Sequence, residues 1–169
     1  MSTSVRIASL YVALFLSGAA ALVYQATWGR LLNRIFGISD LAVATVLAAF
    51  FLGLGLGSAL GGNWARKVKR PAMFYALLEI CIGGYALLSV LFIPRVHLIY
   101  AALGTDLGFE ALTAIRLILA LLILLPPTTL MGATLPILVA AMAQHEKGWT
   151  APATWLYATN TLGGVAGAG

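Results

Sequence analysis

Charge is what this chain has least of. Of its 169 residues only 9% are Asp, Glu, Lys or Arg, against 62% hydrophobic, whereas a soluble domain carries about 25% charged residues. A water-soluble fold of this length could not hide so much apolar surface, so the composition makes lipid the solvent. Cysteine is nearly absent too. The one copy, Cys81, sits inside an apolar segment and offers no disulfide or thiolate–metal framework. The two histidines, His97 and His145, lack metal-ligand spacing. There is no Ser/His/Asp set, no pair of carboxylates at catalytic spacing and no phosphate loop. The sequence therefore points to no catalytic residue, metal or cofactor within the chain. Net charge is +5, but the basic residues lie between apolar segments. There they set topology and meet anionic headgroups, so nucleic acid is not an expected partner.

What the chain does have is long apolar runs. A bilayer core needs about 20 helical residues, and four segments supply them: about 7–28, 41–65, 72–94 and 112–143. A fifth, about 152–169, is still apolar at its last residue and is expected to be an incomplete span. The fold class is all-α: one polytopic transmembrane bundle over residues 1–169. The run from Ile7 to Val23 is longer than the roughly 7–15 residues of a signal-peptide core. It leads into Tyr24 and Trp28, as an aromatic belt at the membrane interface would, and is read as a retained span. The ending "GGVAGAG" fits either truncation inside a helix or an end that a partner covers. Lipid and other transmembrane helices, from a second copy, a missing C-terminal part or a larger complex, are the expected partners.

Two connections look interfacial. "WGRLLNRIF" places Trp28, Leu31, Leu32, Ile35 and Phe36 on one helical face and Arg30, Asn33 and Arg34 on the other. "RVHLIYAALGTDLGFE" spaces Val96, Ile99, Tyr100, Leu103 and Leu107 similarly, though an ordinary loop fits equally well. Orientation follows from Arg66, Lys67, Lys69 and Arg70, clustered between the second and third spans. Positive loops stay cytoplasmic, which puts Arg6, Lys147 and the N-terminus inside. Arg30, Arg34, Arg95 and Arg116 fall on the other side, the last two snorkelling from span ends.

Three features inside the spans stand out. Gly53, Gly57 and Gly61 are four residues apart and form one small-residue ridge, which lets another helix backbone approach closely. The same glycines lie deep in an apolar run with no strand before it, which argues against a dinucleotide loop. "LLPPTTLMGATLP" carries Pro126, Pro127 and Pro136, each lacking a backbone donor. They predict a helix break, either a structural kink or a broken helix beside a polar cavity. Finally, Glu79 is the one acid in the third span, roughly 10 Å in from its Arg70 end at about 1.5 Å per residue. Alternating helix directions put Thr128, Thr129, Asn160 and Ser58, with residues near Leu14 to Ser17, at the same depth. Glu79 is a candidate cation or proton contact, or a neutral hydrogen-bonded carboxyl that only holds helices together.

Five motifs occur in order: "FLSGAAALVYQATWGRLL", "VLAAFFLGLGLGSALGG", "YALLEICIGGYALL", "LLPPTTLMGATLPIL" and "LYATNTLGG". As a set they resemble the membrane region of the spermidine synthase-like membrane proteins, fusions of a major facilitator-type bundle with a soluble aminopropyltransferase-like domain. The resemblance covers nearly the whole chain. It implies part of a major facilitator-type half and a family chemistry that joins decarboxylated S-adenosylmethionine to a polyamine. It also implies a bacterial inner membrane. The soluble domain is absent from this sequence, so none of its catalytic or cofactor residues carries over. "GNWARKVKRP" resembles the basic major facilitator signature, but Arg66 stands where that signature usually has an acid. The resulting expectation is a membrane domain that anchors and handles a small cationic solute such as a polyamine. A transporter half-bundle working as an oligomer, or a non-catalytic subunit of a larger complex, are the alternatives.

Overall fold

The computed structural model describes residues 3–37, 39–104, 108–143 and 150–169. Lys147, His145 and Leu107 lie outside them. The described residues form helices and no strand: α1 (Thr3–Phe36), α2 (Asp40–Ala65), α3 (Pro71–Phe92), a 3-10 turn (Ile93–Arg95), α4 (Val96–Gly104), α5 (Phe109–Ala143) and α6 (Thr150–Ala168). Four stretches are long and apolar enough to cross a membrane: Ile7–Phe36, Asp40–Ala65, Pro71–Ala102 and Phe109–Ala143. The chain is thus a polytopic helical bundle, with α6 as a further helix.

Local chemistry places the boundaries. Gly37 takes a left-handed φ of 86° just after α1, where a side chain would be strained. Ser39 caps α2 by accepting the Ala42 amide at 3.2 Å, and Asp40 adds a negative charge to the first turn. Pro71 opens α3 at the position where a missing N–H costs nothing.

Two expectations need correction. Residues 28–36 are not a separate interfacial helix; α1 runs unbroken to Phe36. Its faces follow the spacing except at Asn33, which is half-buried with its side-chain oxygen out of contact with solvent. Trp28, Leu32 and Phe36 are buried and Arg30 and Arg34 are exposed. Nor does α5 break at Pro126, Pro127 or Pro136, because it is helical from Phe109 to Ala143. The reason lies partly in another helix. Pro127 cannot donate to the Ile123 carbonyl, and the Tyr85 hydroxyl of α3 donates to that oxygen instead, at 2.5 Å. Freed backbone groups in lipid need such substitutes.

The helices pack in two parallel pairs. On α2, a Cβ built at Gly53 would lie 1.8 Å from Thr128 Oγ1, and one at Gly57 would lie 2.0 Å from the Thr129 carbonyl oxygen. At Gly61 it would lie 2.7 Å from Ala133 Cα. Partners that rise in number together mean that α2 and α5 run the same way. The pair α1–α6 repeats the device with the glycines mostly on the other partner. Cβ atoms at Gly163 and Gly167 of α6 would meet the Phe15 and Ala19 carbonyl oxygens at 2.0 and 2.2 Å. In lipid, where apolar surface gains little by being buried, such close backbone packing holds helices together. The third long helix, α3, lies against α5. Large apolar side chains such as Phe51, Ile80, Leu87 and Leu122 stay exposed on the outside, as lipid contact requires.

Candidate functional site

Glu79 is half-buried on α3. Ser17 of α1 donates its hydroxyl proton to Glu79 Oε1 at 2.7 Å. Tyr75, one helical turn before Glu79 on the same face, is only 5% exposed. Its hydroxyl feels both Glu79 and Ser17 but makes no hydrogen bond of ordinary geometry. The result is an acid, a serine and an unsatisfied phenol where α1 meets α3. A buried polar group without a partner costs about 1–3 kcal/mol.

Ser17 also faces the other way. It lines a cleft of about 580 Å³ enclosed by α1, α2, α5 and α6, within the usual size range of small-molecule pockets. Ser58 of α2, Thr134 of α5, and Asn160 and Thr161 of α6 add polar groups; Phe50, Leu54 and Leu135 add apolar ones. The lining holds no Asp, Glu, Lys, Arg or His. The Glu79 carboxylate, one hydrogen bond behind Ser17, is therefore the acid tied to its wall.

The polar layer expected from helix depth is thus divided. Ser58 and Asn160 line the cleft, and Glu79 touches it through Ser17. Thr128 and Thr129 belong to the α2–α5 contact instead. Thr128 is fully buried, its hydroxyl against Gly53 and bonded to its own helix, and Thr129 meets Gly57 through its backbone carbonyl. Gly53, Gly57 and Gly61 line the same contact. Of the prolines, Pro127 is buried beside Thr128 and Pro126 is exposed. Pro136 borders a second pocket of about 480 Å³ that Arg66 also lines. Arg66, Lys67, Lys69 and Arg70 are all exposed, and the Arg66 guanidinium donates to the Asn63 side-chain oxygen.

Tyr75 escapes a reading based on charge alone, although its spacing of four from Glu79 places both on one helical face. Thr134 and Thr161 carry no signal beyond being small and polar. Among the described residues no group of three His, Cys, Asp or Glu could hold a metal ion.

The opposite end of the α1–α3 contact is aromatic. Trp28 is only 2% exposed, so it belongs to the core and not to an interfacial belt. Its indole Nε1 donates to Ser89 Oγ at 2.8 Å, and Ser89 donates on to the Ala86 carbonyl at 2.7 Å. Its ring stacks on Tyr24 at 5.5 Å and meets Tyr85 edge-on at 5.9 Å. Arg116 is held as well. Its Nε donates to Tyr100 Oη at 2.9 Å and its guanidinium sits 5.9 Å over that ring. In α4, Val96 is buried and Ile99 exposed, so the apolar face expected there is narrower than the spacing implies.

No family model, curated protein or solved structure matches the chain.

Proposed function

We propose that this chain is the transmembrane domain of a spermidine synthase-like membrane protein, and that it binds a small organic cation such as a polyamine. The observation that carries the binding role is Glu79. It is an acid inside a span, its hydrogen-bond donor is a serine, and that serine lines a cleft. A carboxylate at that depth carries an insertion cost of a few kcal/mol that a protein rarely bears without use. A cation held by Ser17 Oγ would sit roughly 5 Å from the carboxylate. At an effective dielectric near 20 the attraction is about 3 kcal/mol, enough to offset part of the ion's lost hydration. The chain itself carries out no catalysis in this reading.

The family and the bacterial inner membrane rest on the five motifs, and the orientation on the basic loop. The domain sits in a bacterial inner membrane with Arg66–Arg70 and the N-terminus in the cytoplasm. Two measurements test the proposal. Calorimetric titration of small organic amines into the chain in lipid nanodiscs, with spermidine, putrescine and n-hexylamine among them, should show saturable binding of at least one. Glu79→Gln should weaken it at least about tenfold, the equivalent of 1.4 kcal/mol. Binding untouched by the substitution would overturn the role of Glu79. The native protein should run well above 17.7 kDa and carry aminopropyltransferase activity. A native mass equal to that value, without such activity, would overturn the fused-enzyme reading.

A further inference from the structure

The cleft behind Ser17 sets a condition on its occupant that the general cation reading leaves open. No carboxylate lines it; the nearest described one, Glu79, stands behind the wall and is reached through the Ser17 hydroxyl. Because Ser17 donates its proton to Glu79, the oxygen it offers the cleft acts as an acceptor, suited to an N–H donor. The other polar groups there, Gln25, Ser58, Thr134, Tyr157, Asn160 and Thr161, are neutral. They can share hydrogen bonds, but they cannot neutralise a second or third positive charge. The remaining wall is apolar. Phe51 and Val165 line the cleft and are 60% and 68% exposed on the apolar exterior, so the cleft opens sideways through lipid-facing side chains.

We infer that the cleft takes an amphipathic organic cation with a single positive charge: a primary alkylammonium whose head binds Ser17 and faces Glu79, and whose aliphatic tail lies along Phe50, Leu54 and Leu135. This rests on the reading of Glu79 as a cation contact and replaces the polyamine of that reading with a monoamine. A polyamine places further ammonium groups at intervals of a few methylenes. Inside the cleft each extra charge would leave water without a counter-ion, which is the costly case for buried charge. A monoamine adds only methylenes, which the apolar lining accepts. It also partitions into lipid and can enter from the open side.

The test compares three ligands with the same six-carbon chain and one longer polyamine on the intact chain in nanodiscs, with protein-free nanodiscs as the blank. The ligands are n-hexylamine, n-hexanol, hexamethylenediamine and spermidine. Hexylamine should bind saturably at one per chain, about tenfold more tightly than the alcohol or either polycation. Ser17→Ala and Glu79→Gln should each bring hexylamine down toward hexanol. Ser58→Phe, at an exposed position that lines the cleft, should abolish hexylamine binding without harming the fold. Tighter binding of the diamine or spermidine would overturn the single-charge inference and leave the cation reading standing. Equal binding of hexylamine and hexanol, or no binding of any amine, would overturn both. Hexylamine binding that survives Ser58→Phe would place the ligand elsewhere and overturn the inference. If Glu79→Gln fails to fold, the ligand series on the native chain and the Ser17→Ala variant still decide.

Discussion

Two side-chain hydrogen bonds that join helix α1 to α3 differ in kind. At one end Trp28 donates to Ser89, Ser89 donates to a backbone carbonyl, and the rings of Tyr24 and Tyr85 pack against Trp28. The donors there have acceptors, and Trp28 and Ser89 are almost fully buried. At the other end Ser17 donates to Glu79, the acid is half-exposed, a buried tyrosine hydroxyl beside it goes unpaired, and a cleft adjoins. The first contact has nothing left to bind. The second keeps acceptor capacity that the protein does not use. Fully satisfied polar contacts in a core fix structure, whereas unsatisfied ones mark where a ligand, ion or water belongs.

The comparison breaks most visibly at Trp28. Trp28→Ala should destabilise the bundle by about 3 kcal/mol or more, because it opens a cavity in a sealed core and removes a hydrogen bond. Reversible unfolding in mixed detergent micelles would measure it. A loss under about 1 kcal/mol would mean that this end is not the structural one. Tyr85→Phe is the next step down. It leaves the Ile123 carbonyl, already deprived of a donor by Pro127, without the tyrosine hydroxyl. Hydrogen bonds between membrane helices average about 0.6 and reach about 1.7 kcal/mol, and this one should lie toward the upper figure. An unchanged unfolding curve would show that another group already satisfies that carbonyl.

Glu79→Gln should act in the opposite sense to those two. Glutamine keeps the size and can still accept from Ser17, so stability should change by less than about 1 kcal/mol, while cation binding falls at least about tenfold. A large stability loss with binding intact would reverse the assignment of the two ends.

Much of this was legible in the sequence, and the failures have a common cause. Segment lengths, the Gly53–Gly57–Gly61 ridge and the depth of Glu79 all follow from counting along one helix, and counting even put Ser17 near the level of Glu79. What counting cannot give is the rotation of one helix against another. Thr128 and Ser58 lie at the same depth, yet one is locked against Gly53 and the other lines the cleft. Trp28 resembles a belt residue because its sequence neighbours are aromatic; it is buried because α1 continues to Phe36 and keeps it inside. The prolines of α5 imply a break because the hydroxyl that replaces one missing donor belongs to Tyr85, on another helix. In each case the deciding partner is distant in sequence.

Tyr75→Phe should have the smallest effect on stability and is the sharpest test of the unsatisfied end. The hydroxyl is buried beside Glu79 and Ser17 without a hydrogen bond of ordinary geometry, so removing it deletes a desolvated group and only weak polar contacts. Stability should stay within about 0.5 kcal/mol of the parent or rise slightly. Ligand binding need not follow stability. If the phenol completes the polar wall around the Ser17–Glu79 pair when a cation arrives, Tyr75→Phe should weaken hexylamine binding a few-fold in nanodiscs while the unfolding curve stays put. A loss of stability near 1 kcal/mol or more would mean that the hydroxyl is satisfied in the resting bundle, by a bound water or by Glu79 itself. Both ends of the α1–α3 contact would then be structural.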